Sequence, residues 1–218
     1  MAGVLMTPLV TLDQQVQPVH TAVLVVDMQN DFCAEGGYLH RKYGIDPNES
    51  ARLAANIMAL VETARATGTA VIWIAAIYDD EYLSESHRAR VMARAGGQTL
   101  CQTGTWGAEL YAGVMPRDDE LVVEKHRYSA FHGTDLNEAL GARGIRTLII
   151  TGVATNVCVD STLRDGFFEG YHVVLPEDCV GAGDDAAQQV TLTTVANNFG
   201  YVTSSQALVQ LLKSQTAL

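Results

Sequence analysis

Three side chains with reactive groups follow short apolar runs that are typical of β-strands. Asp27 ends the first run, Lys125 follows a later one, and Cys158 comes in the turn after another. In a parallel sheet the carboxyl ends of neighbouring strands share one edge, so we expect the three side chains to meet there. A thiol is a nucleophile, a carboxylate can take and return its proton, and an ammonium group stabilises the charged forms of both. The set predicts nucleophilic attack on a carbonyl carbon.

Cys158 is the strongest candidate nucleophile among the four cysteines of the chain. It lies near the predicted start of a helix over 156–169, where unpaired backbone N–H groups and the positive end of the helix dipole favour the thiolate. The same N–H groups can bind the oxyanion that forms when a carbonyl is attacked. Cys33, Cys101 and Cys179 have no comparable position, and we expect them to be buried apolar side chains rather than disulfide partners.

The elements that must position these residues alternate between apolar strands and helices. The first strand, over 22–27, is apolar almost throughout, as is typical of a strand covered on both faces. A helix over 47–67 follows, with Asp46 and Glu49 predicted to form a capping box and Gly68 predicted to end it. Further strands are predicted over 69–77, 120–123, 147–151 and 172–175 and near 201, and further helices over 134–143, 156–169, 184–199 and 206–213, with a short one near 86–95.

This alternation predicts an α/β fold: a doubly wound, three-layer sandwich with helices on both faces of a mainly parallel sheet. The stretch 78–116 is long for a plain connection, and we interpret it as a functional loop or lid. We expect one domain over 21–218, preceded by a loosely attached lead-in over 1–20.

The composition and net charge of the chain limit the kinds of partner that it is expected to bind. The chain has 218 residues, 48% of them hydrophobic and 18% charged, which suits one globular domain with a sizeable core. Its net charge of −11 disfavours nucleic acid and acidic membrane surfaces, so we expect a small-molecule partner. The apolar runs are too short to span a membrane, and the first twenty residues lack the features of a signal peptide. We therefore expect a cytoplasmic protein.

Three segments of the chain resemble the signature segments of the isochorismatase-like cysteine hydrolases. They are VVDMQNDF over 25–32, KHRYSAF over 125–131 and TGVATNVCV over 151–159, and they occur in the same order as in that family. The resemblance extends over about 21 to 212. It implies a six-stranded parallel sheet and a homo-oligomer, either a dimer or a tetramer.

The resemblance also implies roles for individual residues. Asp27, Lys125 and Cys158 correspond to the catalytic triad of the family. A cis peptide between Val153 and Ala154 is expected, and it would direct the backbone N–H groups of Ala154 and Cys158 toward the oxyanion.

Within the family, the ureidoacrylate amidohydrolase branch is most similar to this chain. GGYL over 36–39, GTW over 104–106 and STLRDGFF over 161–168 resemble that branch, but AAIYDDEY over 75–82 replaces a segment in which it carries an asparagine and a tryptophan. The resemblance implies hydrolysis of a ureido or carbamoyl amide, with release of ammonia through a thioester on Cys158. Tyr78 and Asp80 are candidate contacts for the urea-like group. Biuret-type and triuret-type substrates remain alternatives.

Three other functions are weighed against this one. A nicotinamidase-type enzyme often carries a metal site with two histidines after the second strand, but 78–87 contains only His87, so we expect neither a metal nor another cofactor. Isochorismate-type ether hydrolysis would not need Cys158. A redox-switch binding protein would need a second cysteine close to Cys158. His126 and His132, which flank Lys125, are expected to orient loops rather than to act as bases.

Overall fold

A parallel sheet forms the centre of the computed structural model, which describes residues 8–95 and 100–215. The strands are β1 Thr21–Val26, β2 Ala70–Ala76, β3 Leu121–Lys125, β4 Thr147–Val153, β5 His172–Pro176, β6 Val180–Gly181 and β7 Gly200–Thr203. Six of them pair in the order β3-β2-β1-β4-β5-β7, and the short β6 pairs with β4. Every pairing is parallel, which confirms the predicted sheet and adds one short strand.

Helices cover both faces of this sheet. They are α1 Leu12–Gln15, α2 Asn30–Cys33, α3 Tyr38–Tyr43, α4 Pro47–Thr67, α5 Glu85–Ala95, α6 Leu136–Ala142, α7 Asp160–Phe168, α8 Asp185–Asn198 and α9 Ser205–Gln215. Successive side chains of β1 point to opposite faces, so Leu24 packs with α6, α7 and α8, whereas Val25 packs with α4 and α9. The three-layer α/β architecture is therefore confirmed. No helix in the described ranges is both long and apolar enough to span a bilayer.

The chain changes direction across the sheet between β1 and β4. From the central β1 it builds outward through β2 to β3, and then it returns to place β4 on the other side of β1. In doubly wound folds, ligands bind in the crevice beyond the strand ends at such a switch point. We therefore expect a ligand to bind near the residues that follow β1 and β4.

The helix α4 is terminated largely as the sequence predicts. The Asp46 side chain accepts a hydrogen bond from the backbone N–H of Asn48, and Gly68 ends the helix in the left-handed conformation with φ of 73°. The predicted capping box is incomplete, because Glu49 lies 3.9 Å from Arg52 on the exposed surface and not against the Asp46 backbone.

The described part of the N-terminal segment packs against the domain. Val16 is fully buried in the core on the α4 side of the sheet. The carbonyl of Gln15 accepts a hydrogen bond of 2.7 Å from Thr147 Oγ1, and the Tyr201 hydroxyl donates one of 2.9 Å to the carbonyl of Val10. The expectation of a loosely attached lead-in is thus wrong for residues 8–20, because an apolar side chain and a buried carbonyl anchor them. Residues 1–7 lie outside the described part.

Candidate active site

The three predicted triad residues lie together at the carboxyl edge of the sheet. Asp27 directly follows β1, Lys125 is the last residue of β3, and Cys158 lies in a π-helical turn over Thr155–Val159 between β4 and α7. Lys125 Nζ is 2.8 Å from Asp27 Oδ2, and both side chains are fully buried. Because β2 separates β3 from β1, the length of the lysine side chain is needed to bridge this gap. The Cys158 thiol is close enough to both partners for each of them to shift its pKa.

Backbone geometry brings the ends of β1 and β4 close together. Asp27 has a φ of 53°, in the left-handed region that is uncommon for residues other than glycine. Opposite it, Gly152 has a φ of 106°, and a Cβ on this residue would overlap the carbonyl oxygen of Val26. Only glycine satisfies both the conformation and the contact at this position. The approach of the two strands places Asp27 beside the turn that carries Cys158.

The electrostatics of the site differ from the sequence expectation for Cys158. Burial, reinforced by the nearby Asp27 carboxylate, raises the pKa of Cys158 to about 12, so the resting side chain is a thiol and not a thiolate. Burial also raises the pKa of Asp27, and the charge of Lys125 opposes this shift only partly. Burial lowers the pKa of Lys125, but Asp27 and Cys158 outweigh it and the net shift is upward. Desolvation by burial therefore has a larger effect on the pKa of Cys158 than the nearby helix start does.

This protonation pattern defines what the site can do. Lys125 stays charged, Asp27 has a raised pKa that makes it a stronger base than an ordinary aspartate, and both side chains interact electrostatically with the thiol. The arrangement can move the thiol proton to Asp27 at the moment when the sulfur attacks an electrophile.

A cavity of about 410 Å³ opens onto Cys158. Ala154 and Cys158, whose backbone N–H groups are the predicted oxyanion donors, both line it, and the predicted cis peptide between Val153 and Ala154 is present. The lining is largely apolar or aromatic, with Asn156, His87 and Arg90 as polar members. Its residues are Phe32, Tyr38, Leu39, Tyr43, Ile45, Tyr78, His87, Arg90, Val91, Leu100, Tyr128, Ala154, Asn156, Val157, Cys158, Ala182 and Gly183.

The two predicted substrate contacts, Tyr78 and Asp80, differ in their position relative to the cavity. Tyr78 lines the cavity, is 3% exposed, and its hydroxyl has no hydrogen-bond partner among the described residues. Burial raises the pKa of Tyr78 well above its usual value, so the hydroxyl remains a donor. Asp80 is exposed on the surface and does not line the cavity. Of this pair, only Tyr78 lies where a substrate at Cys158 would be.

The histidines that flank Lys125 in the sequence do not line the cavity that contains Cys158. His126 Nδ1 is 2.8 Å from the carbonyl of Ile77, and its ring stacks on Tyr82 at 4.0 Å between centroids. His132 lines a neighbouring cavity, away from Cys158. His87, the single histidine of the stretch 78–87, lies edge-on to the Tyr78 ring at 5.1 Å. In the described part of the chain, no three His, Cys, Asp or Glu side chains group together as metal ligands.

Polar side chains after Asp27 hold the long loop against the site. The Gln29 amide donates to the carbonyls of Ala76 and Ala108, at 2.9 and 2.8 Å. Asp31 Oδ2 accepts a hydrogen bond of 2.7 Å from the N–H of Cys101. Sequence reasoning treated these residues only as part of a motif, although a polar run directly after a buried strand was a usable signal. Residues 96–99 of the predicted loop 78–116 lie outside the described ranges.

All four cysteines are free and buried. Cys33, Cys101 and Cys179 are fully buried, which confirms their interpretation as apolar core residues. Only Cys158 lines the cavity among them.

Comparison with known proteins agrees with this fold and identifies the family of the chain. The Isochorismatase domain model matches residues 21–207. A ureidoacrylate amidohydrolase RutB from Enterobacter sp. strain 638 is 39% identical over 200 residues, which cover 86% of each chain. Its counterpart from Klebsiella pneumoniae strain 342 is 37% identical over 92% of this chain and 90% of that one. The crystal structure of a cysteine hydrolase from Pseudomonas syringae pv. phaseolicola matches with a TM-score of 0.83 at 30% identity, over 96% of this chain and 99% of that one. The chain belongs to the isochorismatase family.

Proposed function

We propose that this protein is a cysteine-dependent amidohydrolase that cleaves a small ureido or carbamoyl amide and releases ammonia. The observation that carries the proposal is the buried Asp27–Lys125 ion pair, whose charges act on the Cys158 thiol at the cavity wall. The relatives that are 37–39% identical are named as ureidoacrylate amidohydrolases, which supports a ureido carboxylate of this type as the substrate.

In the first half of the reaction, Cys158 attacks the amide carbonyl. Its proton passes to Asp27 as the carbon–sulfur bond forms, because a thiol with a pKa of about 12 does not ionise beforehand. The backbone N–H groups of Ala154 and Cys158 stabilise the oxyanion of the tetrahedral intermediate. Asp27 then returns the proton to the departing nitrogen, the carbon–nitrogen bond breaks, and ammonia leaves. The remaining acyl group is a thioester, or a thiocarbamate if the substrate is a ureide.

In the second half, water hydrolyses the thioester. Asp27, again ionised, takes a proton from the water as its oxygen attacks the carbonyl carbon, and it returns that proton to the departing sulfur. The products are a carboxylic or carbamic acid and the free thiol. Lys125 keeps Asp27 ionised between the steps, since it is 2.8 Å away and has no exposure to solvent.

Tyr78 is the proposed substrate contact. Tyr78 lines the cavity and its buried hydroxyl has no partner within the described ranges, so a substrate oxygen that accepts its hydrogen bond would remove the cost of leaving it unpaired. This contact would orient the carbonyl toward Cys158.

The proposal is tested by an ammonia-release assay over 3-ureidoacrylate, biuret, triuret and nicotinamide. Cys158→Ala should lose all activity on every compound, while mass spectrometry of proteolytic peptides from the wild-type enzyme should detect the acyl adduct on a peptide that contains Cys158. Cys179→Ala is the matched control, because this cysteine is equally buried but does not line the cavity, and it should keep full turnover. Turnover that survives in Cys158→Ala would rule out the covalent mechanism.

A further inference from the structure

The cavity at Cys158 carries a positive charge with no opposing charge in its lining. Arg90 of α5 lines it, and no described Asp, Glu or Lys side chain does. The guanidinium of Arg90 also has no carboxylate within ion-pair distance among residues 8–95 and 100–215, unlike Arg65, which lies 2.7 Å from Glu120. An arginine without an acidic partner at the wall of a binding cavity is free to bind an anionic ligand.

A second cavity, of about 690 Å³, adjoins the first and strengthens this positive region. The two share His87, Arg90 and Tyr128 as lining residues. Arg127 also lines the second cavity, and its guanidinium is held by backbone carbonyls and not by an acid.

The remaining charges of the second cavity balance one another more closely. Arg164 is paired with Asp160 at 2.8 Å, and Asp165 is the acidic residue in the lining. Among the described residues that line the two cavities, Arg90 and Arg127 therefore have guanidinium groups without a carboxylate at ion-pair distance. A local positive region on a chain of net charge −11 would concentrate small anions at the cavity entrance.

We propose that Arg90 binds a carboxylate at the end of the substrate remote from the scissile amide, and that it thereby selects ureido carboxylates over neutral ureas. The inference rests on the proposed amidohydrolase function and identifies how that site chooses its substrate. Arg90 is the better candidate of the two arginines because it lines the cavity that contains Cys158, whereas Arg127 lines only the adjoining one. A guanidinium group binds a carboxylate through two parallel hydrogen bonds, which fixes orientation as well as affinity.

The chemistry of the cavity agrees with this placement. Its apolar and aromatic lining suits a short carbon linker between the scissile ureide and the carboxylate, with the ureide at Cys158 and the anion at Arg90. Burial, together with the charges of Arg127 and Lys125, lowers the pKa of His87, so this neighbouring ring stays neutral near pH 7 and leaves Arg90 as the lining cation.

The test compares 3-ureidoacrylate with its methyl ester, which keeps the ureide and the double bond but removes the negative charge. The measured quantity is the ratio of kcat/KM for the acid to kcat/KM for the ester, with ammonia release as the readout for both. Wild-type enzyme should prefer the acid. Arg90→Gln should lower this ratio by about 10- to 100-fold, the range expected for one charge-assisted interaction. Arg90→Glu should lower it further by repulsion.

Arg88→Gln is the matched control. Arg88 lies on the same helix, donates to the exposed carbonyl of Asp80, and lines neither cavity, so its loss should leave the ratio unchanged. An equal loss of the ratio in Arg88→Gln would overturn the inference in favour of a general surface field. An unchanged ratio in Arg90→Gln, with the variant folded by circular dichroism, would also overturn it.

The outcomes separate this inference from the function on which it rests. If wild-type enzyme cleaves another amide of the panel but neither ureidoacrylate nor its ester, the inference fails and the amidohydrolase proposal stands. If no amide releases ammonia, both fail. Loss of both acid and ester turnover in Cys158→Ala tests the covalent mechanism and not the role of Arg90.

Discussion

Asp27 and Lys125 form an ion pair with no exposure to solvent, and such a pair is costly to remove from water. The cost is offset by their mutual attraction at 2.8 Å and by a hydrogen bond of 3.0 Å from Lys125 Nζ to the carbonyl of Arg127. The pair is stable only while both partners are charged. This dependence makes the proposed base sensitive to pH.

The midpoint of the acidic limb of the pH–rate profile should lie at a higher pH than the ordinary pKa of an aspartate. Activity requires ionised Asp27, and burial raises its pKa above the usual 3.8, so acidification should remove the charge, and with it kcat/KM, at a higher pH than for an exposed carboxylate. Ammonia release measured from pH 3 to 9 gives the midpoint. His87→Gln should keep the limb, because the limb is assigned to Asp27. A midpoint at or below 3.8 in the wild-type enzyme would contradict the assignment.

The sequence was sufficient to predict the positions of the triad residues but not their protonation. Each side chain follows a recognisable apolar strand, and parallel topology brings strand ends together, so proximity follows from pattern alone. The pKa of Cys158 depends on how deeply the thiol is buried and on the carboxylate beside it, and both are consequences of tertiary packing. Tertiary packing also determines the exposure of Asp80, which could not be inferred from its place after β2.

At the scale of elements, one carboxylate connects three separate stretches of chain. Asp31 accepts hydrogen bonds from the N–H of Cys101 at 2.7 Å and from that of Tyr38 at 3.1 Å. The carbonyl of Cys101 in turn accepts one of 3.0 Å from the N–H of Tyr78. The loop contact therefore supports the residue proposed to bind the substrate. No local pattern predicts such bonds, because Asp31 and Cys101 are 70 positions apart.

Gly107→Ala should disturb this connection. A Cβ at residue 107 would overlap the Asp31 carboxylate and force it away from the Cys101 N–H. We expect a loss of about 1–3 kcal/mol in unfolding free energy from overpacking, together with a lower kcat/KM because Tyr78 loses its support. Thermal denaturation and the ammonia assay measure the two effects.

Gly141→Ala is the control for the same chemical change. It lies within α6, and a Cβ there would meet no atom within 4 Å. Alanine in a helix should stabilise the protein by about 0.5–1 kcal/mol without affecting turnover. If the two substitutions gave the same change in melting temperature, the proposed role of Gly107 would be refuted.

For the whole molecule, the domain boundary is less sharp than the hydrophobic pattern suggests. The predicted domain over 21–218 stays a prediction, but residues 8–20 contribute to its core through Val16 and to its surface through α1. Periodicity did not identify this contribution, because a single buried side chain forms no repeating pattern. The expected dimer or tetramer also stays a prediction.

Val16→Ala should destabilise the whole protein. Removing two methyl groups from a fully buried site costs about 1.5–3 kcal/mol, which corresponds to a fall of about 3–12 °C in Tm for a domain of this size. Val19→Ala is the matched control, since Val19 is 81% exposed and its truncation should leave Tm unchanged within about 1–2 °C. Equal melting temperatures for the two variants would show that the segment detaches in solution.

The contact between Gly152 and the Val26 carbonyl has a consequence for engineering new specificities. It brings together the ends of β1 and β4, the strands that precede the proposed base and the proposed nucleophile, through a close approach of main-chain atoms. Arg90, the residue proposed to select the substrate, lies on α5, outside this frame. Libraries that randomise α5 while leaving 25–27 and 151–158 unchanged should therefore yield variants with altered substrate preference and intact reactivity toward amides.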